Sequence, residues 1–565
     1  MFLTYRKSYY NKKQILKQTN FNLNNKIKEK IIEIYSSNLE INYSNDEKIF
    51  LIYQYFIPDN NYRKNEIKTC MKKNFLNKNI YKIILLNELE YNNEELGLED
   101  FKEEEINEKI QQIVIEKRIK FNDIYEYVEN ENINGFIVMI NSDIFLDDTI
   151  SNLNKIDINQ NKFLISLLRY EYNKNIRNLD YCKLFKNDIG YDRSDSQDTW
   201  IYHSKYNIPK DKRKIFDIFF GQPGCDNRLL YLYKILGYKL YNTPKLIKTY
   251  HYHTTIYRKY NLPRIIKNCL LIVPYDEKNV INKNTPYIKL INYLNEKIDK
   301  NKSFVIPRIA GIENHNVYIS VMFKNNLLTK ESNYQKLIKM MKNNAGIHFT
   351  SFESTKKYGE LYLKSFDNCE CFLKWNKYDT YYNTNQKSND YITNKYKNKI
   401  QCYANDMNIF DNIINPWTHC LRNKKLLIIS SFCNSIKNKE QNFSKIYDVD
   451  LFPGCSFVYL KPPQTNGTNP SRDFQEELND FCENIKKIKE SEDFDIALVS
   501  CGGYGNLVCN YIYSLDRSAI YVGGVLQMYF GILGSRWKMY NPEVVELYQN
   551  DYWSYPSEDE NASYW

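Results

Sequence analysis

Short apolar runs and amphipathic stretches alternate along most of the chain. Residues 49–56 form a continuous apolar run broken by Pro58-Asp59-Asn60-Asn61, which predicts a buried strand and then a turn. From Arg63 onward, Ile67, Cys70, Met71 and Phe75 recur at helical spacing, and 80–86 is a second apolar run ending at Asn87-Glu88. Strand, helix and strand in that order build a parallel sheet. A charged helix over 98–108, a short strand over 113–115, a helix over 121–128 and strands over 135–140 and 163–168 continue the pattern. After a boundary placed near 275 by the apolar run 268–274 and the turn behind it, the second half repeats such runs at 303–309, 424–431, 495–501 and 518–522. The expected fold is α/β, with two tandem Rossmann-like domains whose mostly parallel sheets are flanked by helices. The division is a polar helical extension over 1–45, domains over 46–275 and 276–556, and a loose acidic tail over 557–565. The Asn/Lys/Tyr-rich stretch 376–400 reads as a loop.

A chain of 565 residues with 43% hydrophobic residues can bury two cores. Asn, Ile, Lys and Tyr are abundant everywhere, as an AT-rich coding bias produces, so they carry little functional weight. The 78 basic residues face 68 acidic ones and the excess of +10 is spread thinly; a nucleic-acid partner, which wants a basic stripe, is not expected. Thirteen cysteines, an odd number with no CxxC pair, imply reduced thiols. The polar start Met1–Tyr10 has no apolar leader segment, and no run approaches the roughly 18 apolar residues of a membrane span. The expected setting is the cytoplasm, or a host cytoplasm or virion if the chain is viral.

Candidate chemistry gathers where strands end, because ligands of open parallel sheets bind at their carboxyl edges. Asp143 stands just past the run 135–140, placed to hold a divalent cation against a diphosphate, or simply to close the turn. Gly221-Gln222-Pro223-Gly224-Cys225-Asp226 leads into a helix with Asp226 at its start, either a helix cap or a reactive carboxylate. Tyr250-His251-Tyr252-His253 alternates, which puts two of the six histidines on one side of an extended segment.

Taken together, Gly224 to Arg228, Gly237 to Asn242, Lys248 to His253, Arg63 with Glu66-Ile67, Leu85 to Glu88 and Asn141-Ser142-Asp143-Ile144 resemble GT-A-type glycosyltransferase domains of giant viruses and some bacteria, over about 46–262. The resemblance implies a nucleotide-sugar donor and a divalent cation, Mn²⁺ or Mg²⁺. Asp143 matches the last Asp of the family's DxD motif, with Asn141 at its first position; His253 or His251 matches the C-terminal metal ligand. Asp226 matches the base of inverting members, with Asp198 as the other candidate, in a Gln197–Trp200 segment whose Trp200 face suits a sugar acceptor. Tyr55, Arg63, Asn87, Glu88, Arg118 and Asn141 are the implied donor-side contacts.

In the second half, the run 495–501 feeds Gly502-Gly503-Tyr504-Gly505 and a helix, and 518–522 ends in Gly523-Gly524, followed by Gln527. Glycines between a strand and a helix let backbone N–H groups approach a phosphate, or simply pack closely. Arg308 and Glu313 follow the run 303–309. Over about 285–545 these residues resemble the GT-D glycosyltransferase type, with Gly311 where that family carries the Asp of its DxE motif. The resemblance implies Arg308, Gly502, Gly503, Gly505, Gly523 and Gln527 as donor contacts and Glu313 as a catalytic or metal-binding carboxylate.

The leading expectation is transfer of a sugar from a nucleotide donor to a hydroxyl of a glycan, glycoprotein or small acceptor, by one or both domains. Two other readings stand beside it. One is a non-catalytic glycan- or nucleotide-binding protein, or a single active domain with an accessory one. The other is a nucleotidyltransferase, ranked last because 49–63 has no glycine-rich phosphate loop.

Overall fold

The computed structural model describes residues 31–560 apart from 160–161, 189, 256–261, 266, 277–285, 325–330, 377–385, 448, 468 and 559. In the first half lie β1 (Ile31–Tyr35), β2 (Ile49–Tyr53), α1 (Asn61–Leu76), β3 (Lys82–Asn87), β4 (Ile110–Val114), α2 (Phe121–Asn130), β5 (Phe136–Ile140), β6 (Ile144–Leu146), β7 (Phe163–Leu168), β8 (Tyr170–Tyr172), β9 (Lys183–Leu184), β10 (Gln197–His203), α3 (Cys225–Ile235), β11 (Lys239–Tyr241), β12 (Thr249–Tyr252) and β13 (Cys269–Val273). The second half adds α4 (Pro286–Asp299), β14 (Val305–Ile306), α5 (Gly311–Lys324), α6 (Phe352–Asn368), β15 (Cys371–Lys374), α7 (Gln386–Lys395), β16 (Ile400–Tyr403), β17 (Lys425–Ser430), β18 (Ser456–Leu460), α8 (Phe474–Ser491), β19 (Ile496–Ser500), α9 (Gly505–Ser514), β20 (Ser518–Tyr521) and α10 (Pro542–Tyr548).

Two large sheets carry the fold, which is the expected α/β class with mostly parallel sheets. The first has the order β11-β7-β10-β5-β2-β3-β4 and is parallel except for β10, which runs against both its neighbours. The second, β14-β20-β19-β17-β18, is parallel throughout. A small sheet, β6-β12-β8-β9, stands at the carboxyl edge of the first. Strand alternation sends Phe50, Ile52, Ile137 and Met139 to one face of the first sheet and Ile49, Leu51, Phe136 and Val138 to the other. The first face belongs to a single hydrophobic core that also contains Leu427, Leu498 and Val545 of the second half.

Several expectations are corrected. The end of the expected N-terminal helix is strand β1, which pairs in parallel with β13; its β-branched isoleucines favour a strand, and residues 1–30 lie outside the described residues. The run 268–274, the mark of the boundary near 275, forms β13, whose partner strand is β1. The stretch 376–400 contains α7, with Ser388, Asn389 and Ile392 buried. The run 303–309 yields only the two-residue β14, stopping before Pro307, which has no N–H for a ladder. The tail expected to be loose is anchored at Glu560, whose carboxylate accepts from Asn434 N (2.7 Å) and Ser435 N (3.3 Å); residues 561–565 lie outside the described residues.

Gly505 opens α9 against the ring of Tyr521, whose hydroxyl donates to Gly502 O at 2.8 Å. A Cβ at Gly505 would lie 2.3 Å from Tyr521 Cζ. Gly505→Ala should therefore cost about 1–3 kcal/mol, read as a lower urea midpoint with an unchanged slope.

Candidate active site

Three side chains meet past the end of β5. Asp143 lies in the link between β5 and β6, and α1 fixes that link from one side. Asn60 accepts from Arg63 N to start α1. Further along the helix, Asn74 donates to Ile144 O (2.9 Å) and accepts from Leu146 N (3.0 Å), while Asn77 donates to Leu146 O (3.1 Å). The two amides satisfy the edge of β6 as a neighbouring strand would. On its other edge β6 pairs with β12, which sets His251 opposite Ile144 and, through β8, opposite Glu171. His251 Nε2 lies 3.2 Å and His253 Nδ1 3.5 Å from Asp143 Oδ2, and the three ligand atoms fall within 4.8 Å of one another. His251 Nδ1 is held by Glu171 Oε2 at 3.2 Å.

Charge is dense here. Arg63 pairs with Glu66 at 2.9 Å and with Asp143, and donates to Tyr252 O at 3.2 Å. Glu66 also accepts from the backbone N–H and hydroxyl of Thr254. Burial pushes the Asp143 carboxyl up, but His251, His253 and Arg63 together hold it well below the usual range. Burial likewise opposes charge on His251, yet Asp143 and Glu171 raise it to about 9. The donor set suits a divalent cation: one carboxylate oxygen and two imidazole nitrogens converge, and a carboxylate on the far nitrogen orients one ring.

A second carboxylate stands close by. Asp226 lies in the first turn of α3, half-buried, with Gln197 N at 3.4 Å. Burial and the nearby Asp198 and Asp195 outweigh its backbone hydrogen bonds and raise it to about 7. It does not cap the helix; the N-cap is Gly224, at φ +85°. Asp226 connects to the Asp143 loop through Asp198, the residue after Gln197, because Asn141 Nδ2 donates to Asp198 Oδ1 at 2.7 Å.

The sequence-predicted residues divide sharply. Asp143, His251, His253, Arg63 and, through Asp198, Asn141 and Asp226 come together. Both oxygens of Asp198 are engaged: one accepts from Asn141, the other from Arg169. Tyr55 is buried, its hydroxyl donating to Glu95 O (2.7 Å) and its N–H to Asn87 Oδ1 (2.9 Å). Asn87 Nδ2 donates to Gln112 Oε1 at 3.1 Å. Glu88 is exposed, and Arg118 is tied to Phe220 O at 2.6 Å. Trp200, expected to offer a face to a sugar, is fully buried with its ring edge-on to Phe121.

In the second half, Arg308, Gly502 and Gly523 do follow neighbouring strand ends, but packing occupies them. Arg308 donates to Val522 O (2.8 Å) and lies over Trp375. A Cβ at Gly523 would meet Arg308 Nη1, and one at Gly503 would meet Ile347, each at 2.3 Å. With Gly505 against Tyr521, all three glycines lie in close contact with a neighbouring side chain. Gln527 donates to Ile532 O at 3.1 Å. Glu313 is buried in the first turn of α5, where desolvation raises it against the pull of Arg308. Sequence reasoning missed Glu171 and Arg169; the alternation Arg169-Tyr170-Glu171 after a wholly buried strand was the available signal.

No protein-family model and no curated protein sequence matches the chain. Among solved structures it is similar to the mannosyltransferase PcManGT from Pyrobaculum calidifontis in complex with GDP-Man and Mn²⁺, at 8% identity over 47% of this chain and 68% of that one, TM-score 0.24. It is also similar to a domain of unknown function 1792 (13%, 48% and 96%, TM-score 0.23) and to the apo glycosyltransferase GlyE of Streptococcus pneumoniae TIGR4 (9%, 84% and 90%, TM-score 0.21). At these values the likenesses assign no family and carry no functional argument; the chemistry has to be read from the site.

Two measurements check the site itself. Asp143→Asn should abolish Mn²⁺ binding followed by electron paramagnetic resonance, and Glu171→Gln, which removes the carboxylate shared by the far nitrogen of His251 and by Arg169 Nε, should weaken it by about 10–100-fold. Asp226 ionises at about 7 in the fold against about 3.9 in an unfolded chain. Its charged form is therefore penalised by folding, with stability lost as pH rises from about 4 to 7. Asp226→Asn should raise the melting temperature at pH 8 but not at pH 4. The gain is at most about 4 kcal/mol, less whatever solvent contact relieves.

Proposed function

We propose that the chain is a glycosyltransferase that moves a sugar from a nucleotide-sugar donor to a hydroxyl acceptor, in one active site at the carboxyl edge of the first sheet. The observation that carries this reading is the coupling, through Asn141 and Asp198, of a cation-binding triad to a carboxylate raised to about 7. A base poised near neutrality beside a diphosphate-anchoring cation is what substitution at a sugar carbon needs.

Asp143, His251 and His253 would hold the cation, which when bound supplies positive charge against the departing diphosphate. Mixed nitrogen and oxygen ligands favour Mn²⁺ over Mg²⁺, which prefers oxygen. Arg63, already in the cluster, adds a fixed cation on the donor side. Asp226 takes the proton of the acceptor hydroxyl as that oxygen bonds to the sugar carbon; the bond from that carbon to the diphosphate breaks, and the nucleoside diphosphate leaves. Attack from the face opposite the leaving group inverts the sugar carbon. Asp198, clamped by Arg169, keeps Asn141 and the strand bearing Gln197 in register with Asp226. Among the described residues the Asp143 group is the one set of three or more metal-ligating side chains, which favours the second half as a scaffold over a second transferase.

The test is release of nucleoside diphosphate from a panel of nucleotide sugars by the full chain, with and without Mn²⁺. Turnover should require Mn²⁺ and rise with pH through a midpoint near 7. Asp226→Asn should lower it by about 10²–10⁴-fold and remove that limb. No turnover of any donor would overturn the transferase reading, and full turnover by Asp226→Asn would overturn the assigned base.

A further inference from the structure

We propose that Glu543, on the last of the described helices, is a positioning residue for the Asp226 site, so that the chemistry assigned to the first half is assembled with help from the second. The proposal rests on the reading of Asp226 as general base.

α10 grips α3 at both ends. Near its start, Arg228 Nη2 pairs with Glu543 Oε1 at 2.8 Å, with side chains only 3% and 9% exposed. The same guanidinium donates through Nη1 to Asn268 O at 2.9 Å, which ties in the segment leading to β13. At the other end, the Tyr548 hydroxyl donates to Ile235 O. Val544, Val545 and Leu547 fill the space between and belong to the common core.

This grip adds a buried ion pair to the backbone bonds of the first turn of α3, where Cys225 N donates to Gln222 O at 2.9 Å and Arg228 N to Gly224 O at 3.1 Å, and to the longer bond from Asn227 Nδ2 to Asp195 O at 3.4 Å. The N-cap of α3 is Gly224, which offers no side-chain hydrogen bond, so the usual device for fixing a helix start is missing. The bond from Gln197 N to Asp226 is long, at 3.4 Å. Arg228, two residues after Asp226, is the charged anchor of that turn, and its partner comes from 315 residues away. A buried guanidinium without its carboxylate would have to seek water, drawing the turn outward.

The groups facing Asp226 are Asp195 just before β10, Asp198 within it and Cys225 on its own helix, while Arg228 is turned to Glu543. Loosening the turn admits water to Asp226 and frees a positive charge near it, and both effects favour the ionised carboxylate.

The experiment uses Glu543→Gln and Tyr548→Phe in the full chain, with Glu543→Asp as the variant that keeps the charge if Glu543→Gln folds poorly. Melting temperature is recorded across about pH 5 to 8, where comparison with Asp226→Asn isolates the ionisation of Asp226 without any turnover. Donor turnover is measured alongside. The expected result for Glu543→Gln is a midpoint lowered by about one pH unit and a kcat reduced about tenfold or more with donor KM unchanged. Tyr548→Phe and Glu543→Asp should move both in the same direction by less. A melting temperature lowered equally at every pH, with midpoint and kcat intact, would overturn the proposal and leave the pair a structural one. Full turnover by Asp226→Asn would instead overturn the base reading itself, whatever Glu543 does to the melting profile.

Discussion

Helix α3 bears the constraint on which the rest of the molecule depends. Its first turn must keep a carboxylate partly out of water, while its flank, from Leu229 to Ile235, is buried against elements of both halves. A helix buried along its length with an uncapped start cannot be stabilised locally. It is stabilised by what surrounds it: β13 along one side, the strand bearing Gln197 at its head, and α10 at both ends. The common core follows from this. One hydrophobic core accordingly takes in a face of the first sheet, α3, α10 and the second sheet.

The Asp143 cluster shows the complementary strategy, in which charge is kept buried by being shared. A single carboxylate oxygen serves Arg63, His251 and His253, and two of the three have a second carboxylate partner: Glu66 for Arg63 and Glu171 for His251. Isolated, any of these groups would be costly to bury. Linked, they make a rigid frame whose geometry is set by strand register and by the two asparagines of α1. The same frame explains why Asn141 can stand where a carboxylate is expected. Its amide joins the Asp143 loop to Asp198, a link that a second carboxylate at that position could not make without repulsion.

The sequence made the parallel strands legible because strands buried on both faces are continuous apolar runs; β2, β5, β7, β17 and β19 all appear as such. It made His251 and His253 legible because alternation is a local property, and Asp143 and Asp226 because each follows a recognisable strand or turn. What stayed hidden depends on distant partners. β1 is strand only because Cys269–Val273 lies beside it. Tyr55 and Trp200 look like ligand contacts until their burial is known. The glycines at 503, 505 and 523 have the spacing of a phosphate loop but face Ile347, Tyr521 and Arg308. Glu171 and Glu543 act through pairings that no local window contains.

The clamp on α3 also sets an order on the making of the chain. Arg228 and Glu543 are 315 residues apart, so a ribosome adding about 5–20 residues per second completes α3 roughly 15–60 s before it supplies the carboxylate that the guanidinium needs. During that interval the first sheet can pair its strands, while the face that α10 will cover stays open to water or to a chaperone. α10, the last of the described helices, therefore reaches α3 only after every strand of both large sheets has been made.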